Sequence, residues 1–306
     1  MSSRRRQVRP LPVVLPPLAD ELLSSWIDRH AAFVGVSGLR LLRHCHIEVK
    51  SVRDLDLKLT RSDAGVLAEV LRCSPHLIRN MTQSYGGRVR SRLVAIRRPL
   101  QICKPCARRH DAHPVTRGAR LRNWMEGWRV SCPICGTALE DFRLYTRLFR
   151  ADPADALLVS IESKARDGER IMGRAFRRRG AGSAHTLLMR SLLLPQAPRP
   201  RMAVTTAPIP RVLDLVVPGA DDFFQRLQPE NWPWSPRLLP LSVRIPVLAG
   251  VAHVSSLPER WLDTLVGAVA PPHQASLLHC FRTLSSSDYT GLRPHTRPYS
   301  QILRQS

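Results

Sequence analysis

Two cysteine pairs, Cys103-Lys-Pro-Cys106 and Cys132-Pro-Ile-Cys135, constrain this chain more than any other feature in it. Each pair is a C-x-x-C knuckle that offers two sulfurs to one point, and 25 residues separate the pairs. A thiolate quartet at this spacing has the ligand count and softness of a tetrahedral structural zinc site. All four positions are sulfur, so no coordination position stays open for water. Two disulfides or a redox pair are the alternatives. A redox C-x-x-C needs a thioredoxin-like βαβ setting, and no such pattern flanks either knuckle. Cys45, Cys73 and Cys280 stand alone and read as buried free thiols.

The charge balance narrows the partners. The formal net charge is +23, and apart from Lys50, Lys58, Lys104 and Lys164 every basic residue is arginine. Guanidinium forks match phosphate bidentately, so nucleic acid is the first candidate. A coding bias towards arginine and an anionic membrane surface are the competing explanations. Against the membrane, no apolar run reaches the roughly 20 residues a spanning helix needs. The uncharged stretch Thr264–Phe281 is broken by Pro271-Pro272. The apolar segment Leu11–Leu18 after the basic start is short and proline-rich, unlike a secretory signal. A reducing, cytoplasmic setting is therefore expected, which again favours thiolates.

A mainly α chain with a small zinc ribbon is expected, organised in seven stretches. Residues 1–17, with Arg4-Arg5-Arg6 and four prolines, read as a disordered basic leader. Residues 18–85 read as helical and helix-turn-helix-like. Asp20 or Ser24 is expected to cap a helix through Trp26, Ile27 and Ala31, and Val36–His44 forms a second. Leu67, Val70 and Leu71 make one apolar face, Cys73-Ser74-Pro75 breaks it, and Leu77, Ile78 and Met81 make the next. Ser74 is a good N-cap with Pro75 at the first helical position. On that second helix His76, Arg79 and Asn80 face outward, where they could meet base edges or phosphates. Plain packing of two short amphipathic helices gives the same pattern.

Residues 86–143 form the zinc-binding module. Arg88–Arg122 holds eleven basic residues and one acid, Asp111, with Arg108, Arg109, Arg120 and Arg122 as candidate phosphate contacts. A solvated basic loop is the bland alternative. Short strand-like runs such as Leu93–Ile96 flank the first knuckle. His110 and His113 are expected as surface or outer groups, and Trp124 and Trp128 as core. Residues 144–195 read as helical and basic, starting at Asp152-Pro153 with Asp155 in the first turn. Arg177, Arg178 and Arg179 close a second basic run, and Ser183 is the expected cap of the next helix. Residues 196–210 read as a proline-rich linker. Residues 211–285 read as a C-terminal helical region, with helices near Asp221–Leu227, Pro258–Val269 and His273–Leu284. Residues 286–306 read as a disordered tail.

The run Leu15-Pro-Pro-Leu-Ala-Asp-Glu21-Leu-Leu-Ser-Ser25-Trp-Ile-Asp-Arg29 resembles the opening of the TniQ family of transposition proteins. Leu55-Asp56-Leu57, Leu67-Ala68 and Met81-Thr82 are similar to later family segments. So are Cys103-x-x-Cys106, Arg122-x-Trp124, Trp128, Cys132-Pro-x-Cys135-Gly and Leu139. The resemblance covers roughly residues 11–142. The family often has histidine as the fourth ligand; Cys135 stands there here. What the resemblance implies is an accessory of DNA transposition that acts with DNA, a transposase and an AAA-type ATPase. Some relatives dimerise and link a target-recognition complex to that ATPase.

A stand-alone helix-turn-helix transcription regulator is the competing class. A nuclease or transposase is disfavoured because two-metal phosphoryl transfer needs clustered carboxylates, and acids here are few and scattered. Asp54-Leu-Asp56 reads better as a helix-cap or packing motif. No Walker-type Gly-x-x-x-x-Gly-Lys-Ser occurs, so the chain is not the ATPase.

Overall fold

The computed structural model describes residues 9–83, 93, 101–142, 152, 155–177, 182–197, 209–227 and 239–286. The expected strand-like run at 93–96 lies outside them except for Leu93, as do the leader through residue 8, the tail beyond 286, and Pro153, Arg178 and Arg179. The architecture is mainly helical.

Five helices make the N-terminal unit: α1 (Leu23–Phe33), α2 (Gly38–His44), α3 (Asp54–Lys58), α4 (Arg61–Val70) and α5 (Pro75–Asn80). Leu23, Trp26, Ile27 and Ala31 recur at helical spacing on α1, and all four are buried. The start of α1 corrects the expected cap. Neither Asp20 nor Ser24 supplies it. Asp56 of α3 accepts from the Ser24 backbone N–H at 2.9 Å and from the Ser24 hydroxyl at 2.6 Å. Asp20 sits in the left-handed region, φ 59°, and turns elsewhere. Local caps hold the later helices. The Thr60 hydroxyl accepts from the Asp63 N–H at 3.0 Å, and that of Ser74 from the Leu77 N–H at 3.1 Å. Leu67, Val70, Leu71, Ile78 and Met81 close the α4–α5 contact as the pattern indicated.

The four-cysteine module follows. Strands β1 (Gln101–Ile102) and β2 (Glu140–Asp141) pair antiparallel, with Gln101 opposite Asp141. Between them lie α6 (Lys104–Asp111) and a 3₁₀ turn, Arg122–Met125.

The C-terminal helices follow: α7 (Ala156–Arg177), α8 (Gly182–Leu192), α9 (Ala220–Leu227), α10 (Leu241–Ser256), α11 (Pro258–Ala268) and α12 (Pro271–Ser286). The start of α7 is three residues later than expected, with Asp155 Oδ1 accepting from the Leu157 N–H at 3.0 Å. Ser183 lies inside the first turn of α8 rather than before it. Helix α10 was not foreseen. It carries no polar face and is buried nearly all round, so no 3.6-residue stripe marks it. Pro246 inside it further disguises the pattern. Gly168 lets α7 cross α10 closely: a Cβ there would lie 2.0 Å from the Leu248 carbonyl oxygen.

The chain has two apolar cores with different borders. One belongs to α1–α5. The other runs from Leu93, Cys103, Trp124 and Trp128 of the module through α7, α8 and α10 to Leu284. The ends of the expected linker meet each other, with the Gln196 N–H on the Pro210 carbonyl at 2.8 Å and Ala197 on Ala268 at 2.7 Å. The helices on both sides of 196–210 thus share one core.

Candidate metal centre and its two seams

The cysteines converge because two local structures aim them. Cys103 precedes the first residue of α6, and Cys106 lies in its first turn, so a helical start sets one pair. The other pair tips a small hairpin. The Cys132 N–H donates to the Thr137 carbonyl and the Gly136 N–H to the Cys132 carbonyl, both at 2.8 Å. Gly136, φ 74°, takes the left-handed turn this knuckle requires.

The four Sγ atoms lie within 4.8 Å of one another. Cys103 and Cys135 are 3.3 Å apart, Cys106 and Cys135 3.7 Å, and Cys106 and Cys132 3.8 Å. A disulfide would need about 2.05 Å. A tetrahedron with metal–sulfur bonds of about 2.3 Å puts its sulfurs about 3.8 Å apart. The cage therefore fits a zinc-sized ion, and these residues are placed to hold a metal. Burial pushes the Cys103 thiol up to about 11 and raises Cys106 further. At Cys135 burial acts the same way, but hydrogen bonds from the Thr137 side chain and backbone and from the neighbouring sulfurs outweigh it, and the thiol falls to about 6. A cation at the centre favours thiolate at every one of these positions. His110 and His113 stand outside the quartet. His110 is half-buried, and that burial lowers its pKa.

The module meets the N-terminal helices across a polar seam. Buried Glu21 accepts from Arg29 Nε at 2.8 Å and Nη2 at 2.6 Å, from the Ser25 hydroxyl at 2.9 Å and from the Leu18 N–H at 3.0 Å. Arg29 also donates to the Pro16 and Val115 carbonyls, at 2.9 Å and 2.5 Å. Arg120 pairs with Asp28 at 2.7 Å, and Arg122 with Asp20 at 3.0 Å. Arg122 reaches the Asn80 carbonyl of α5 as well, at 2.8 Å. Burial raises the Asp20 carboxyl, and the charge of Arg122 opposes the shift. His30 completes the staple: its Nε2 accepts from the Leu15 N–H at 2.9 Å while Nδ1 lies 2.8 Å from the Trp26 carbonyl. Burial holds His30 below its usual pKa, as a neutral ring with one donor and one acceptor requires.

A second seam, towards the C-terminal helices, is buried. Arg244 of α10 is fully enclosed and donates to the Gln101 side-chain oxygen, to the Arg129 carbonyl at 2.6 Å and to the Leu239 carbonyl at 2.5 Å. Gln101 in turn donates to the Asn123 and Glu126 carbonyls, each at 3.0 Å. Glu169 of α7 accepts from the Ser131 hydroxyl at 2.7 Å and from Arg129 at 3.3 Å. Asp141 caps α10 through the Leu241 N–H at 3.0 Å. Trp128 packs against Phe176 with ring centres 4.4 Å apart and the planes tilted by 38°.

Among the described candidate residues, the four cysteines form one cluster. His76 and Arg79 are exposed on α5, while Asn80 is half-buried. Arg108 and Arg109 are exposed on α6, whereas Arg120 and Arg122 lie in the polar seam. Arg177 ends α7. Sequence reasoning missed Arg244, Gln101 and Glu169. The signal for Arg244 was present: a lone charge in the apolar run 239–254 requires buried partners.

These features define a class: a mainly helical protein with a cluster of four cysteines placed to hold a metal ion. Residues 12–143 match the TniQ family model, so this part of the chain is similar to the TniQ family. The match ends just past β2, although the apolar core of the module continues into the helices beyond. No curated protein and no solved structure matches the chain. Among the described residues, no helix is long and apolar enough to cross a membrane.

Proposed function

We propose that the chain is a zinc-containing, DNA-associated adaptor in DNA transposition, which couples target selection to a transposase and an AAA-type ATPase of the same element. The family match over 12–143 carries this reading. Its span takes in the helices, the polar seam and the metal cage as one unit. Zinc held by Cys103, Cys106, Cys132 and Cys135 would supply structure alone, because a closed sulfur shell leaves no position for a reacting water. The chain's own part is mechanical. The module is a mount, and the α1–α5 unit and the C-terminal helices are carried on its two seams as surfaces for DNA, for the ATPase or transposase, for a target-recognition complex or for a second copy. No bond-making or bond-breaking step is assigned to it.

Insertion in cells carrying the cognate transposase and ATPase tests this role. Deleting the gene should abolish insertion or redirect it. Full insertion frequency with unchanged target choice would overturn the adaptor role. One observation favours the regulator alternative, the Ser74-capped α5 with His76 and Arg79 exposed. Sequence-specific protection of a duplex by the protein alone, lost in Arg79→Ala, would promote it.

A further inference from the structure

The described part of the four-cysteine module, residues 101–142, holds seven lysines and arginines, and they fall into two sets. Four are engaged by carboxylates: Lys104 by Glu140, Arg120 by Asp28, Arg122 by Asp20, and Arg129 by Glu126 and Glu169. Arg108, Arg109 and Arg117 are exposed and have no carboxylate partner among the described residues. Such a division separates cations that hold the molecule together from cations left for something outside it.

The three are gathered by construction. Arg108 and Arg109 occupy the last turn of α6, whose first turn is fixed by the cysteine cage. The chain then folds back on the helix end. The Thr116 hydroxyl donates to the His110 carbonyl at 2.6 Å, Arg117 Nε to the Asp111 carbonyl at 3.5 Å, and the Gly118 N–H to Asp111 Oδ1 at 3.2 Å. Gly118, φ 74°, makes that return possible. Arg117 is thereby brought beside the arginine-bearing turn. The negative end of a helix dipole favours cations there. That accounts for a basic last turn but not for a third arginine delivered by a separate, hydrogen-bonded loop.

We propose that Arg108, Arg109 and Arg117 form a phosphate-contacting face for a nucleic-acid backbone. This rests on the DNA-associated reading above and assigns the contact to one side of the module. Guanidiniums without a carboxylate partner can give paired N–H groups to a phosphate without first breaking an ion pair. A duplex also presents one charge per roughly 1.7 Å, the density that best rewards three clustered arginines. Arg120 and Arg122 are then seam residues whose loss loosens the protein rather than its grip on DNA.

The test measures affinity of the full-length protein for duplex DNA of arbitrary sequence against salt. The slope of log affinity on log salt should fall by about 2.7 in Arg108→Gln/Arg109→Gln/Arg117→Gln, at about 0.9 per lost contact. The matching Arg→Lys triple should keep the slope, which separates lost charge from lost fold. Arg120→Ala/Arg122→Ala should keep the slope and lower the melting temperature. An unchanged slope in the Gln triple, or a lost slope in the Lys triple, overturns the assignment. So does displacement of DNA by poly-glutamate at equal charge concentration, which would point to an acidic protein surface. The adaptor role stands or falls separately, on insertion in cells.

Discussion

The N-terminal helices and the C-terminal helices are attached to the same module by opposite means. Helices α1–α5 close their own apolar core; Leu22, just ahead of α1, packs into the module's core, and ion pairs and hydrogen bonds, some of them partly wet, join the unit to the module as well. The C-terminal helices have no such border. Their core is continuous with Trp124, Trp128 and the cysteines, and Gln101, Glu169 and Arg244, which cross it, are buried. Partly exposed ion pairs contribute about 0–1 kcal/mol each and weaken in salt, whereas buried apolar continuity does not. The contrast makes the N-terminal unit separable in energy and the C-terminal helices dependent on the metal cage. The family match groups the regions differently, joining the unit with its own core to the module and leaving out the helices that share the module's core.

The strongest challenge to this contrast is Cys132→Ser. Structural zinc in small modules is worth roughly 10–16 kcal/mol in apparent terms, comparable to a whole domain's stability. The variant should lose its metal, read by elemental analysis, and lose the cooperative melt of the module together with the C-terminal helices. A variant with wild-type melting would show that the cage holds nothing together.

Arg244→Met probes the buried seam alone. It strands acceptors on Gln101, Arg129 and Leu239, at about 1–3 kcal/mol for each group left unpaired, while removing a costly buried charge. A net loss of about 3 kcal/mol in urea unfolding is expected, confined to the transition that includes the C-terminal helices.

Within the N-terminal core, Asp56 sets a pH dependence of its own. Burial lifts its carboxyl from 3.8 to about 6, against the hydrogen bonds from Ser24. The folded state thus holds this proton more tightly than the unfolded chain does. Its contribution is most favourable below about pH 4 and is lost as pH rises through about 6, by roughly 3 kcal/mol at most. Asp56→Asn keeps an acceptor for Ser24 and should flatten that part of the stability-against-pH curve. A curve unchanged by Asp56→Asn would place the dependence elsewhere.

The smallest effect belongs to the polar seam. Arg120→Ala/Arg122→Ala should cost about 1–2 kcal/mol in total at low salt and less at high salt. Faster amide exchange at Asp20–Ser25 would report it, with α4 and α5 unaffected.

Much of this contrast was legible in the residues, and for identifiable reasons. Ser74-Pro75 and the apolar spacing around Leu67 and Ile78 are local signals, and the Ser74 cap forms where they indicate. The C-x-x-C pairs mark the four sulfurs that gather, because sulfur at that spacing has few other uses. Asp56 as the cap of α1 could not be read, since the partners are 32 residues apart. Helix α10 lacked a polar face, so periodicity was silent where burial was greatest. Arg120 and Arg122 looked like Arg108 and Arg109 in the sequence, because only tertiary structure brings Asp28 and Asp20 to the first two.

Amide hydrogen exchange of the metal-loaded protein before and after chelation tests the central claim most directly. Removing the metal should erase protection at β1, β2 and α6 and sharply reduce it in α7 and α10, while the buried residues of α1, α4 and α5 keep theirs. Equal loss in all three regions, or protection in α7 and α10 that survives chelation, would contradict it.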